Sequence, residues 1–271
     1  MIAPTDRELA SLSRIERIAF RLGDLSARRL HGLASAWNST ALVALTALML
    51  RRRLQVRGIE HVSGLDRARG TILVANHRSF FDFFAIECVL FARSDIPRRL
   101  LFPVRSSFFY DHPLGLALNA ATSGMTMFPP IFRQRSKQVF NRYAMERCIA
   151  ELEQNRVVLG LHPEGTRGQS ADPFEVGAAR PGVGRIFVRA RTARVIPVFL
   201  TGLSNSFGAE LARNWRAPAG YPIHVAFGPE IDLSDLRAQP PTRHTEREAV
   251  ERCMNAIREQ AETTRKLARD R

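Results

Sequence analysis

Thr71-Ile72-Leu73-Val74-Ala75-Asn76-His77-Arg78-Ser79-Phe80-Phe81-Asp82 is the stretch on which the fold turns. Its first five residues form an unbroken apolar, β-branched run of strand length. Polar residues follow, and residues 80–90 then read as a helix. A strand covered on both faces is continuously apolar, and one that feeds directly into a helix is the repeating unit of an α/β domain. Similar runs occur on either side. Residues 100–104, 157–161 and 195–200 read as strands, residues 125–128 as a weaker one, and residues 223–227 as an edge. Phe140, Ala144, Cys148 and Leu152 mark one face of a helix beginning near Ser136. The expectation is an α/β fold with a central mixed sheet flanked by helices. Residues 54–271 would form the catalytic domain, ending in a charged helix over 245–269 that lies as a solvated flank, and residues 1–53 a helical membrane-associating segment.

The junction at 76–82 also carries chemistry. A strand-to-helix turn has unpaired backbone N–H groups and exposes side chains at the sheet's end. With Ser79 as the helix cap, Asp82 falls in the first turn, within reach of His77. A carboxylate there accepts the Nδ1 proton, fixes the tautomer and leaves Nε2 as a base for a hydroxyl. This is the His and Asp half of a triad, with a substrate hydroxyl in place of the serine. The N–H groups of the helix start are candidates for the oxyanion. By spacing alone, a helix-start aspartate beside an incidental histidine is the favoured reading, and it takes the other motifs to overturn it.

A second constellation, His162-Pro163-Glu164-Gly165-Thr166-Arg167-Gly168, follows the apolar run 157–161 directly. Glycine permits close backbone approach, Arg167 can grip a phosphate, and Glu164 can order polyol hydroxyls or the arginine itself. His162 reads as a wall residue.

Ahead of these lies a segment of different texture. Ile15, Ile18, Leu22 and Leu25 recur at helical spacing among Arg14, Arg17, Arg21, Arg28 and Arg29, a pattern suited to an anionic membrane surface and equally to a surface helix packed on the domain. Residues 32–50 carry no charge and end in Arg51, Arg52 and Arg53. Asn38, Ser39 and Thr40 interrupt them, and 41–50 is too short to cross a bilayer, so a shallowly inserted helix is expected. The formal net charge of +14 is almost all arginine, since Lys137 and Lys266 are the only lysines. It favours anionic partners without choosing among them. Cys88, Cys148 and Cys253 are widely spaced and read as free core thiols, and the charged first thirty residues lack a secretory signal. Attachment to the cytoplasmic face of a membrane is the expected location.

With both constellations in view, the chain resembles the glycerolipid acyltransferases, the family of lysophosphatidic acid and glycerol-3-phosphate acyltransferases. Four ordered blocks carry the resemblance. The first, H-x-x-x-x-D, matches His77 and Asp82. The second, an apolar run ending in an arginine, looks like Met127-Phe128-Pro129-Pro130-Ile131-Phe132-Arg133. The third matches Pro163, Glu164, Gly165, Thr166 and Arg167, with His162 in place of the family's phenylalanine and Gly168 in place of its serine. The fourth, around a proline, resembles Val195-Ile196-Pro197-Val198. The resemblance implies an enzyme with His77 and Asp82 as catalytic residues. It implies that Arg133, Glu164, Gly165, Thr166 and Arg167 bind a phosphate-bearing lysolipid acceptor such as 1-acylglycerol-3-phosphate. No cofactor is implied, the acyl donor being acyl-CoA or acyl carrier protein as substrate. Acylation of glycerol 3-phosphate or of a lyso-aminolipid stays open.

Rival classes find less support. A serine hydrolase would need a G-x-S-x-G elbow, and Gly202-Leu203-Ser204-Asn205-Ser206 fails at its last position. Gly177, Gly182 and Gly184 are not followed by the lysine and hydroxyl residue of a P-loop. The histidines are scattered and no H-E-x-x-H or cysteine pair offers a metal ligand set. A non-catalytic basic membrane-binding module is the alternative of another class. Nucleic acid is not expected, because the phenylalanines sit in apolar runs instead of alternating with arginine.

Overall fold

The computed structural model describes residues 2–63, 69–154 and 156–270. The chain opens with α1 (Asp6–Ala10), α2 (Arg14–Arg29), α3 (His31–Trp37) and α4 (Val43–Leu50), the last two joined by a π-helical turn over Asn38–Leu42. Then follow β1 (Leu54–Arg57), β2 (Thr71–Ala75), α5 (Asp82–Arg93), β3 (Leu100–Leu101), β4 (Val104–Arg105), α6 (Pro113–Ser123), β5 (Pro130–Ile131), α7 (Gln138–Gln154) and β6 (Val158–Leu161). The last third contributes α8 (Gly184–Arg189), β7 (Arg194–Thr201), α9 (Phe207–Arg216), β8 (Ile223–Phe227), α10 (Ser234–Ala238) and α11 (Arg243–Arg269).

Six strands make a mixed sheet in the order β1-β8-β7-β2-β6-β3. Strands β3, β6, β2 and β7 run parallel, β8 is antiparallel to β7, and β1 is parallel to β8. β2 lies at the centre, with Leu73 opposite Gly160 on one side and Ile196 on the other. Every residue of β2 is buried, and alternate side chains serve opposite faces. Ile72 and Val74 pack with Phe140 of α7, Phe187 of α8 and Ile257 of α11. Leu73 and Ala75 pack with Leu50 of α4 and Ile86 and Leu90 of α5. This is the expected α/β sandwich of helices around a mixed sheet.

Four local expectations are corrected. The run 100–104 splits, because Pro103 cannot donate to a ladder, and β4 leaves to pair with β5 in a separate two-stranded sheet. Residues 125–128 are irregular, and the strand comes later, at β5. Ile223–Phe227 is interior, with the edge taken by β1. The C-terminal helix is more than a flank: Ala249, Cys253, Ile257 and Ala261 form a buried stripe against the sheet.

α2 is packed inside out. Its buried residues are Glu16, Ala19, Phe20, Gly23 and Ser26, whereas Ile15, Ile18, Leu22 and Leu25 face outward. The inward polar groups are all paired. Glu16 accepts from Lys137 Nζ, Ser26 donates to the Gly124 carbonyl, and Asp24, at the margin of this face, accepts from the buried Arg147 of α7. Residues 31–50 form one helix of sufficient length and apolarity to cross a membrane. It lies along the domain, however, with Ala34, Asn38, Leu42, Thr46 and Met49 buried and Leu33, Trp37, Leu45 and Leu48 exposed.

Candidate active site

The two quoted constellations meet at the carboxyl ends of β2 and β6. His77 follows β2, and Asp82 opens α5 with its side chain turned back. Asp82 Oδ2 lies 3.0 Å from His77 Nδ1 and accepts the backbone N–H groups of Arg78 at 2.6 Å and Ser79 at 2.8 Å. With Nδ1 committed as donor, the ring is fixed in the tautomer that leaves a lone pair on Nε2. Ser79 is not the helix cap. That position belongs to Phe81, and Ser79 Oγ donates to the Ser204 carbonyl at 2.5 Å and accepts the Phe81 N–H at 3.1 Å. Three N–H groups of the turn ahead of the helix are engaged within the protein. Those of Arg78 and Ser79 are taken by Asp82, and that of Phe80 by Asn205 Oδ1 at 2.9 Å.

Burial sets the protonation states. It drives the His77 imidazole down to about 4, helped by the positive charge of Arg167, so the ring is a free base at neutral pH. It also pushes the Asp82 carboxyl up to about 6, against the charge of His162 and the N–H groups of Ser79 and Arg78. At neutral pH the pair is a neutral imidazole and a carboxylate, as general-base catalysis requires.

The turn after β6 closes around His77. Glu164 Oε1 accepts the His77 N–H at 3.0 Å, and the Gly168 N–H donates to the His77 carbonyl at 2.7 Å. Glu164 is 5% exposed, and its carboxyl is pushed up by burial and held down by the N–H groups of His77 and Gly177. Gly165 sits at φ +65°, a conformation that favours glycine. Thr166 and Arg167 are exposed at the rim, with Arg167 Nη1 2.7 Å from Asn205 Oδ1. Thus His77, Asp82, Glu164 and Arg167 come together. Arg133 stands apart, exposed beyond β5 on the small sheet, and among the described residues it makes no hydrogen bond or ion pair with them.

His162 contributes more than a wall. Its ring stacks on that of His77, centroids 4.2 Å apart and planes 8° apart, with Phe102 edge-on behind it. Its Nδ1 donates to the Ala75 carbonyl at 3.0 Å, and its buried Nε2 has no protein partner. Donor atoms of His77, Asp82 and His162 lie within 4.8 Å of one another. Parallel rings nonetheless place their lone pairs in separate parallel planes, so one cation cannot lie in both, and the geometry suits stacking better than chelation. Asn205 escaped the sequence reading. Its only signal is a polar Ser-Asn-Ser turn after an apolar strand, yet it links Arg167 to the helix start.

An open, mostly apolar groove of about 820 Å³ runs between α2–α3 and α6, lined among others by Leu22, Leu25, Leu33, Trp37, Leu116 and Met125.

A histidine backed by a buried carboxylate, open at Nε2 and flanked by an arginine at the carboxyl end of an α/β sheet, defines a site built to activate a hydroxyl. The Acyltransferase family profile matches residues 53–201, more than half the chain, and the chain belongs to that family. A solved structure, the 1-acyl-sn-glycerophosphate (LPA) acyltransferase PlsC from Thermotoga maritima, aligns over 96% of this chain and 98% of its own with a TM-score of 0.52. At 17% identity that likeness is one of fold. No curated protein matches the chain in sequence.

Proposed function

We propose that this acyltransferase moves a fatty acyl group from acyl-CoA or acyl carrier protein to the hydroxyl of a phosphate-bearing lysolipid such as 1-acylglycerol-3-phosphate, in phospholipid biosynthesis. The observation that carries the reading is the 3.0 Å His77–Asp82 contact with Arg167 beside it. His77 Nε2 takes the hydroxyl proton as the oxygen attacks the thioester carbonyl, and Asp82 supports the imidazolium. The tetrahedral intermediate expels the thiolate, which recovers that proton from His77. The ester and a free thiol result, with no enzyme-bound acyl group. Arg167 and Arg133 hold the acceptor phosphate, which turns a bimolecular encounter into a positioned one. Gly165 and Thr166 shape the phosphate turn, and Glu164 orders it.

The exposed apolar stripes of the N-terminal helices support a membrane location. With α2 and the helix over 31–50 each packed along one face, their outward apolar stripes fit insertion into one leaflet at the cytoplasmic face, because a spanning helix would have to leave its packing. The acyl chain has the apolar groove or the adjoining bilayer available. Residues 1–53 then form the membrane-associating segment and 54–271 the acyltransferase domain. A panel of acceptors assayed with one labelled acyl donor tests the reading. Transfer to lysophosphatidate above glycerol 3-phosphate and lyso-aminolipids is expected, and thioester hydrolysis without acceptor dependence would overturn it.

A further inference from the structure

A second inside-out helix lies far from α2 in sequence. The buried residues of α9 are Glu210 and Asn214, both polar, whereas Phe207 and Trp215 are exposed, Trp215 at 51%. Its inward face is fully engaged. Glu210 pairs with the buried Arg53 at 2.5 Å, and Asn214 accepts the Arg52 N–H and donates to the Leu48 carbonyl. Phe207 and Trp215 stand exposed on one side of the helix, with Leu211 and Ala212 half-buried between them. Burying polar groups while showing aromatic ones to solvent costs stability unless something apolar covers the outer face.

Two observations indicate what covers it. The face is continuous with the exposed stripe of α4: Trp215 Nε1 donates to the Leu48 carbonyl at 3.0 Å, and Leu48 and Leu45 are both exposed. Its border is cationic, with exposed Arg51, Arg52 and Arg216 around it, Arg52 lying 5.4 Å over the Trp215 ring. A tryptophan at the edge of an apolar stripe with arginines beside it matches the boundary between acyl chains and anionic headgroups.

We propose that α9 is a second membrane-contacting element, which seats its Phe207–Trp215 face in the same anionic leaflet as the N-terminal helices. The proposal rests on the monotopic reading of those helices. Its consequence for catalysis is mechanical. The loop that leads into α9 holds both halves of the active site, through the Ser204 carbonyl to Ser79 Oγ and through Asn205 Oδ1 to Phe80 N and Arg167 Nη1. Seating α9 brings the mouth of the site to the lipid from which the acceptor comes.

The chain has two tryptophans, one on each surface, Trp37 and Trp215. The full-length Trp37→Phe protein therefore reports on α9 alone, and Trp215→Phe on α3 alone. Each is mixed with vesicles of phosphatidylcholine and phosphatidylglycerol, plain or brominated along the acyl chains. A blue shift of Trp215 emission and its quenching by brominated lipid are expected. Quenching of Trp37 with Trp215 unshifted and open to acrylamide overturns the α9 proposal and keeps the N-terminal one. Quenching of Trp215 alone would overturn the shared seating in one leaflet, and quenching of neither would remove membrane contact by both surfaces. Phe207→Asp, at an exposed first-turn position that tolerates a carboxylate, is expected to lower vesicle partition while sparing turnover of a monomeric short-chain acceptor. Unaltered partition would count against the proposal.

Discussion

The imidazole of His162 lies flat against that of His77, centroids 4.2 Å apart, while each ring is held by a different end of the site: His77 by Asp82, His162 by the Ala75 carbonyl. The His77 ring is thereby fixed in both plane and tautomer, the preorganisation that a positioned base requires.

His77→Ala is expected to lower kcat by about 10²–10⁴-fold or more, since it removes the general base. Asp82→Asn should also be severe, because an amide can stabilise the wrong tautomer and cannot support an imidazolium. Circular dichroism on each variant checks folding, and near-normal turnover in folded His77→Ala protein would sink the mechanism.

His162→Phe keeps a flat ring against His77 and an edge for Phe102, and His162→Ala keeps neither. The phenylalanine variant is expected to lose less turnover than the alanine variant. Equal turnover losses in the two variants would show that the stack has no part in positioning.

Arg167→Ala and Arg133→Ala are expected to weaken use of a phosphate-bearing acceptor by on the order of 2–4 kcal/mol of transition-state stabilisation, with acyl-donor affinity much less affected. The comparison that decides is kcat/KM for a neutral acceptor lacking the phosphate. An equal loss there would assign these arginines to the fold, and an effect at Arg167 alone would leave Arg133 outside the acceptor site.

The sequence reveals most where one environment surrounds a residue on all sides. Thr71–Ala75 is legible because burial on both faces leaves it apolar in all but its first residue. The closeness of His77 and Asp82 is legible because a strand-to-helix turn admits few geometries. Periodicity, by contrast, shows that a helix has two faces without saying which is covered. In α2 the stripe of Ile15, Ile18, Leu22 and Leu25 is outward, while Phe20 packs inward beside Glu16, Asp24 and Ser26, whose partners Lys137, Arg147 and Gly124 are all distant in sequence. Ile223–Phe227 looks like an edge for a similar reason: its outer neighbour is the arginine-bearing β1, which nothing local identifies as a strand. Asn205 and the His162 stack depend on two chain segments meeting, and neither segment announces the other.

Monotopic attachment predicts that a tag before Ile2 and the catalytic domain are reached by protease from the same side of sealed vesicles. Release should need detergent, because buried apolar side chains, unlike screened charges, resist salt. A tag reachable only from the far side would establish a spanning anchor.

Acid is expected to separate activity from stability. Asp82 gains its proton near pH 6 in the folded protein and near 4 when unfolded, so its buried charge costs stability above about 6 and that cost fades as pH falls towards 4. His77 works in the opposite sense. Its folded value is about 4 against an unfolded value of about 6.5, so acid destabilises the fold through it over much the same window. The two roughly cancel, although protonated Asp82 no longer holds the His77 Nδ1 proton as a carboxylate does, and acyl transfer is lost as pH falls through about 6. His162 is also held down to about 4, by burial and then by the charge of His77, against the charge of Asp82 and its bonds to Ala75 and Asn76. Taken by itself, its titration puts the unfolded chain about one proton ahead between pH 6.5 and 4, a share of roughly 1.4 kcal/mol of stability lost per pH unit as acid is added. Urea unfolding at a series of pH values, for the parent and His162→Phe proteins, isolates that share because every other titrating group is common to both. The variant is expected to show the shallower dependence below pH 6.5. Parallel curves would mean that His162 takes up its proton in the folded state as easily as in water, and that the stacked pair is not the desolvated, neutral couple on which the base depends.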